Sequence, residues 1–216
     1  MNLFIIGDVH GCFHTFKTLI EEHWNPENEF LIQLGDLVQK GPHSALCIEY
    51  AWHLQKEYPY QCFFLKGNHE HSLIERYKEN PFQPEVSSFN TDLINQGLSL
   101  SKTYKWLERL PLKWENPKIL ITHAGISKTI HDPYDLTNSK GVLFNRSGLK
   151  PLDKVQVIGH IVLEDEKALL KTSENAWYID TGAWLGKRLT GLKLNSAGER
   201  IGTFYKKTDL RDVEGL

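Results

Sequence analysis

Apolar residues fall in short runs separated by glycine-containing polar loops. Leu3–Ile6, Phe30–Leu34 and Cys62–Leu65 read as strands, and each leads through such a loop into a stretch that reads as helix. The first helix is expected from Phe13 to about Trp24, with Phe13, Phe16, Leu19 and Ile20 at helical spacing. The second is expected from Ser44 to about Tyr58 and carries Leu46, Ile48, Tyr50, Trp52 and Leu54. Pro42 supplies a rigid turn ahead of it and Ser44 a capping hydroxyl. Strand, loop and helix recurring at roughly 30 residues is the length of a crossover unit, which makes neighbouring strands parallel. In such sheets the loops at the strand C-terminal ends share one edge, where ligands bind.

The middle of the chain is less regular. Glu79–Asn95 contains Pro81 and Pro84, many polar residues and little periodicity, so a long loop is expected, either shaping a groove or simply connecting. A helix is expected from about Ser99 to Leu110, stopped by Pro111, and a β run at Lys118–Thr122 leads into His123-Ala124-Gly125. Val155–Ile158, Ala176–Ile179, Leu189–Leu194 and Ile201–Tyr205 alternate with turns, which points to a mixed or antiparallel sheet rather than further crossover units. No repeat, low-complexity tract or linker divides the sequence, so residues 1–216 are expected to form a single domain.

Composition narrows the class. With 216 residues, 40% apolar and 24% charged, the chain can bury one well-formed core and is neither disordered nor fibrous. Leu3–Ile6 is four apolar residues long, far short of the ~20 that a membrane span needs. The N-terminal stretch has no basic region and no long apolar segment of the secretory type, so a cytoplasmic location is expected. Cys12, Cys47 and Cys62 include no C-x-x-C pair, which argues against a disulfide framework and a cysteine zinc site; Cys12 is expected to be a small buried thiol. A net charge of −2, without Lys/Arg clustering, argues against a nucleic-acid surface.

Chemistry concentrates at the strand ends. Gly7-Asp8-Val9-His10-Gly11, Gly35-Asp36 and Gly67-Asn68-His69-Glu70 follow the three opening strands. Thr122-His123-Ala124-Gly125 and Ile158-Gly159-His160 each add a histidine after a later β run. Carboxylate, imidazole and amide oxygen together suit manganese, iron or zinc. Six such side chains from five loops can hold two ions with one carboxylate bridging them, the arrangement that activates a water and clamps the oxygens of an in-line phosphoryl displacement. His14, His23, His43, His53, His71 and His131 lie outside these motifs and read as packed or solvated imidazoles, with His43 and His71 nearest the expected edge.

The set resembles the phosphoprotein-phosphatase branch of the calcineurin-like metallophosphoesterases, whose signature is G-D-x-H-G, G-D-x-V-D-R-G, G-N-H-E, H-A-G and a late G-H. The likeness runs from residue 1 to about 195, and the length resembles compact bacterial and phage members. It implies an α/β fold, a sandwich of two mixed β-sheets flanked by α-helices. It implies a first ion on Asp8, His10 and Asp36 and a second on Asp36, Asn68, His123 and His160, with two divalent ions, manganese foremost and iron, zinc or nickel as alternatives. His69 matches the histidine that protonates the leaving oxygen, a role worth ~10²–10⁴-fold in rate. Arg146, in Leu143-Phe144-Asn145-Arg146, resembles the arginine that forks onto the phosphate. The implied substrate is a phosphorylated protein or a small phosphate-containing molecule.

One motif departs from the signature. Gly35-Asp36-Leu37-Val38-Gln39-Lys40-Gly41 has Gln39-Lys40 where protein phosphatases carry Asp-Arg. Gln39 supplies no charge to His69, so a lowered His69 pKa is expected, and Lys40 can meet a phosphate as a point charge but not as a planar fork. Gly41-Pro42-His43-Ser44 is similar to the symmetrical diadenosine tetraphosphatases and the polyphosphate-cleaving branch, although the long insertion of those enzymes after His-Ala-Gly is missing. Three readings therefore stand: a phosphate-ester hydrolase of the serine/threonine-phosphatase type, a phosphoanhydride hydrolase, and a metal- or phosphate-sensing protein of little activity. Replacing the bridging carboxylate by Asp36→Asn is expected to abolish turnover of any phosphate substrate, and near-normal activity would remove the two-ion assignment.

Overall fold

In the computed structural model, which describes residues 1–213, the opening apolar runs are strands β1 (Asn2–Ile6), β2 (Glu29–Gln33) and β3 (Cys62–Phe64), separated by helices α1 (Phe13–His23) and α2 (Ser44–Glu57). The strands pair in parallel, with Leu3 opposite Phe30 and Leu31 opposite Cys62, as helical crossovers require. β1 is buried on both faces. Leu3 and Ile5 join one apolar cluster while Phe4 and Ile6 join another. A strand covered on both sides needs an apolar residue at every step, which accounts for the unbroken run in the sequence.

Three helices follow: α3 (Asn68–Glu79), α4 (Pro84–Asn95) and α5 (Leu100–Arg109). α4 corrects the expectation of a long loop over Glu79–Asn95. Pro84 occupies its first turn, where a missing N–H is harmless, so this proline starts a helix instead of breaking one. Val86, Phe89 and Leu93 then repeat at intervals of three and four residues and are buried. The periodicity was present in the sequence but was obscured by the two prolines and the polar residues between. α5 begins at Ser99, whose hydroxyl accepts the Lys102 N–H as an N-cap.

The remaining strands are β4 (Lys113–Glu115), β5 (Ile119–Thr122), β6 (Val155–Ile158), β7 (Leu169–Lys171), β8 (Ala176–Tyr178), β9 (Arg188–Leu194) and β10 (Arg200–Lys207). They complete two five-stranded sheets, ordered β10-β9-β1-β2-β3 and β4-β5-β6-β8-β7. Both are mixed. β9 runs antiparallel to β1 and to β10, whereas β5, β6 and β8 are mutually parallel between antiparallel edges β4 and β7. The parallel pairs in the second sheet are crossovers made by irregular chain and a short 3₁₀ turn at Thr172–Glu174, so no helical spacing announced them.

The two sheets face each other across Leu3, Ile5, Ile32, Ile121, Val157 and Leu192. The outer face of the first sheet is covered by the helices, with Phe4, Phe16, Ile48, Leu73, Leu93 and Leu107 in one cluster. The outer face of the second is covered by the chain between β5 and β6, where Val142 packs on Leu120 and Leu149 on Ile158 and Tyr178. Among the described residues no helix is long and apolar enough to cross a membrane. Because Leu93 is fully buried on α4, Leu93→Ala is expected to lower unfolding stability by ~2–5 kcal/mol in a urea titration. A negligible loss would show that α4 is not part of the packed core.

Candidate metal centre

Six parallel strands deliver the polar cluster from their C-terminal ends. Asp8 and His10 follow β1, Asp36 follows β2, and Asn68 and His69 open α3 after β3. His123 follows β5, His160 follows β6 and Asp180 follows β8. Asp36 lies at the middle: its Oδ2 is 3.5 Å from His10 Nε2 and 3.4 Å from His123 Nε2, while its Oδ1 accepts the His69 N–H at 2.9 Å. Two groups of donor atoms share it, His10–Asp36–His69 and Asp36–His123–His160, each with its atoms within 4.8 Å of one another. Asn68 Oδ1 is 2.9 Å from His123 Nε2, and Asp8 Oδ2 accepts the His160 N–H at 3.0 Å. All six ligand candidates are thus brought together, and His69 stands beside His10 with ring centroids 4.7 Å apart.

The donors are aimed as metal ligands are. His10 Nδ1 meets the Val38 carbonyl at 3.3 Å and His123 Nδ1 meets the Leu34 carbonyl at 3.1 Å, which leaves each Nε2 facing the cluster. Asp8 Oδ1 and His160 Nε2 are buried with no hydrogen-bond partner among the described residues. Buried polar atoms are nearly always bonded, so two orphans in one cluster fit a site built for cations.

The electrostatics carry the same message. Asp8, Asp36 and Asp180 are all buried, and no Lys or Arg in the described residues pairs with them. Burial, and then the Asp180 charge, raises the Asp8 pKa well above the carboxylate range. Burial pushes Asp180 up to about 6, with Asp36 adding to the rise against the Gly182 N–H. For Asp36 burial is outweighed by His123 and His10, which hold it well below its ordinary value. Burial also lowers His10 to about 4 and His160 to about 3, where both are the neutral imidazoles that ligate metals. At His123 burial is overcome by Asp36 and Asp8, which raise it to about 10. Ionising three buried carboxylates together requires positive charge among them, which divalent ions held at the shared Asp36 would supply.

The calcineurin-like phosphoesterase family model matches residues 1–185. The chain belongs to that family. Calcineurin-like phosphoesterases use a dinuclear divalent metal centre, and the Asp36-sharing donor groups are the candidates for it here. Among curated relatives, this phosphoesterase is 36% identical over 138 residues to the symmetrical bis(5′-nucleosyl)-tetraphosphatase of Buchnera aphidicola (subspecies Schizaphis graminum), covering 59% of this chain and 45% of that one. The chain spans about half the length of the symmetrical relatives it matches. It is 27% identical to the asymmetrical bis(5′-nucleosyl)-tetraphosphatase PrpE of Bacillus cereus strain B4264, over 88% of this chain and 89% of that one. A serine/threonine phosphatase from Saccharomyces cerevisiae shares the fold, with a TM-score of 0.62 at 15% identity over 97% of this chain and 80% of that one.

The other candidate site residues lie around this centre. His69 Nδ1 is 2.8 Å from Gln39 Oε1, and its pKa is lowered as the sequence led us to expect. Burial is the leading cause, however, and the Lys40 charge adds to it. Lys40 extends its Nζ over the Trp184 ring at 4.0 Å, and Trp184 in turn faces His10 edge-on at 6.1 Å. Arg146 is exposed, near enough to His160 for its charge to help depress that imidazole. His71 packs against Phe144 and His43 against the C-terminal turn, so neither of these two histidines joins the two donor groups that share Asp36.

Two residues had no role in the sequence reading. Glu70 is fully buried, and its carboxylate accepts the N–H groups of Gly67 and Asp36 on Oε2 and of Leu37 and Val38 on Oε1. It therefore ties the Asp36 loop to the start of α3. Asp180 follows the β run Ala176–Ile179 as Asp8 follows β1, and that strand-then-aspartate pattern was the available signal. The backbone is also committed to the site: His10, Asp36, Gln39, Lys40 and His160 have φ between +48° and +70°. L-residues in that region are strained by ~1–2 kcal/mol each, so the fold must hold them there. A Cβ on Gly159 would fall 1.9 Å from Asp8 Oδ1, and one on Gly67 would fall 2.1 Å from Asp36 Oδ1, so only glycine admits these carboxylates. Gln39→Asp sets a negative charge against His69 and favours the imidazolium, so it is expected to raise the His69 pKa in an NMR titration of the ring. An unchanged pKa would show that residue 39 does not govern this histidine.

Proposed function

We propose that the protein is a two-metal hydrolase of phosphoanhydrides, acting on dinucleoside polyphosphates. The observation that carries this reading is the neutral Gln39 at 2.8 Å from His69, beside donor groups that share Asp36. A phosphoserine or phosphothreonine releases an alkoxide, a poor leaving group that depends on a well-charged general acid. A phosphoanhydride releases a phosphate oxygen with a pKa near ~6, which needs little or no protonation. A histidine whose partner supplies no charge is adequate for the second reaction and ill suited to the first.

Two further observations support it. Both sequence relatives described above are bis(5′-nucleosyl)-tetraphosphatases, whereas the serine/threonine phosphatase likeness concerns the fold alone. The serine/threonine-phosphatase reading, placed first on motif grounds, accordingly yields to the phosphoanhydride alternative. Beside His69, a cleft of about 1010 Å³ runs from Gln39 and Lys40 along α3 and α4 past Ser72, Arg76 and Ser88. That is room for a substrate much larger than one phosphate group.

In this reading Asp8, His10 and Asp36 hold one ion, and Asp36, Asn68, His123 and His160 hold the other. The pair, when bound, supplies an activated water and charge for the phosphoryl oxygens. Asp36 keeps the two groups in register because its Oδ2 lies between His10 and His123. His69 faces the leaving side, and Lys40 and Arg146 bring positive charge to the phosphates. Metal-stripped protein resupplied with manganese is expected to cleave diadenosine tetraphosphate in preference to a phosphoserine peptide. Two ADP molecules would make the cleavage symmetrical, and ATP plus AMP asymmetrical. Preferential release of phosphate from the peptide would overturn the assignment.

A further inference from the structure

A second cluster of ligating side chains lies apart from the Asp36 centre, where the C-terminal turn Leu210–Asp212 packs on α1 and meets His43, the N-cap residue of α2. A ring nitrogen of His14, a ring nitrogen of His43 and a carboxylate oxygen of Asp212 lie within 4.8 Å of one another, and none of the three belongs to the first cluster. We infer that these residues form a separate site for a divalent cation of the zinc type, which fastens the C-terminal turn to the first turn of α1 and the N-cap of α2.

Asp212 carries the argument. It is fully buried, its Oδ2 accepts the Thr15 N–H at 2.8 Å and the Thr15 hydroxyl at 2.7 Å, and its Oδ1 accepts the His14 N–H at 3.0 Å. Those donors are neutral. Among the described residues no Lys or Arg nitrogen lies within 4.0 Å of it, and Arg211 next door is engaged in two bonds with Asp209. A buried carboxylate without a cation is unfavourable. A carboxylate has about four lone-pair sites. Three are used, and the free one is on Oδ1, the atom 4.0 Å from His43 Nε2.

The surroundings suit a metal. Hydrogen bonds that fix a carboxylate on its far side are what a ligating aspartate has, and Thr15 provides them on Oδ2. The two imidazoles stand edge to face with centroids 5.1 Å apart and are half-exposed, so an ion can enter from solvent. His43 Nε2 is now 2.8 Å from the Arg211 carbonyl, and at that exposed position water can replace the imidazole. Two histidines and one carboxylate, without cysteine, form a three-ligand set with an open fourth position, which zinc accepts and which calcium or magnesium disfavours.

The site has a structural consequence. Cys12, the N-cap residue of α1, makes no capping bond through its side chain, and Asp212 bonds the first-turn amides instead. α1 and α2 continue directly from the His10 and Lys40 loops, so an ion at Asp212 braces both from behind.

The test compares the wild-type protein with His14→Gln and His43→Gln, each metal-stripped, saturated with zinc and freed of excess by gel filtration. Elemental analysis is expected to find one zinc fewer per chain in each variant, with affinity for that equivalent reduced at least about tenfold. Zinc is expected to raise the unfolding temperature of the wild type more than that of either variant. His14→Gln is decisive if loss of the Arg211 contact disturbs His43→Gln, because the His14 ring makes no hydrogen bond to the described residues. The same difference is expected in an Asp36→Asn background, which separates this site from the Asp36 centre. Equal zinc content and equal stabilisation in wild type and His14→Gln would overturn the inference.

Discussion

The structure depends on how a buried glutamate is satisfied. Glu70 takes four backbone N–H groups and, among the described residues, no Lys or Arg, and those groups come from the loops after β2 and β3. Burial, with the Asp36 charge behind it, pushes its pKa up to about 7 while the amides oppose the rise. If the carboxylate were lost, four buried donors would be left without an acceptor, each worth ~1–3 kcal/mol. This single side chain therefore fixes the relative height of the two loops and, through the His69 N–H, the rotation of Asp36. The shared position of Asp36 between His10 and His123 follows from it.

Around that constraint the site concentrates unfavourable features. Five of its residues hold left-handed backbone conformations, three carboxylates crowd in a buried volume, and two ligand atoms lack partners. Each is destabilising in isolation. Together they describe a cavity shaped for cations, because ions relieve the charge crowding and occupy the orphaned atoms at once. The doubly covered β1 and the helical layer of α1–α5 supply the stability that keeps the strained loops in place.

Gln39 departs from the family signature in charge while its side chain meets His69. Its backbone is in the left-handed region and its Oε1 lies 2.8 Å from His69 Nδ1. What differs is charge. The backbone of the loop places residue 39 and the side chain sets the charge beside His69, so the donor cluster and the charge state of that histidine are separable properties of the site.

Much of this was legible in residue order. The candidate ligand residues are readable because each lies within four residues of the end of a β run, and a strand's end is where a parallel sheet exposes its loops. The continuous apolar character of Leu3–Ile6 and the crossover spacing identified the parallel half of the first sheet. By contrast, α4 was hidden because a proline can start or stop a helix, and which it does depends on whether Val86, Phe89 and Leu93 find a core to enter. The parallel pairing of β5, β6 and β8 was hidden because irregular crossovers leave no periodic trace. Glu70 and Asp180 stood in plain view, but a carboxylate's role depends on whether it meets amides, cations or water. The chain order alone thus determined which residue types reach the sheet edge, through local periodicity and turn chemistry. Only the tertiary structure decided which of them gather into shared donor groups, which hold the backbone and which face solvent, because those outcomes depend on distances between segments far apart in sequence.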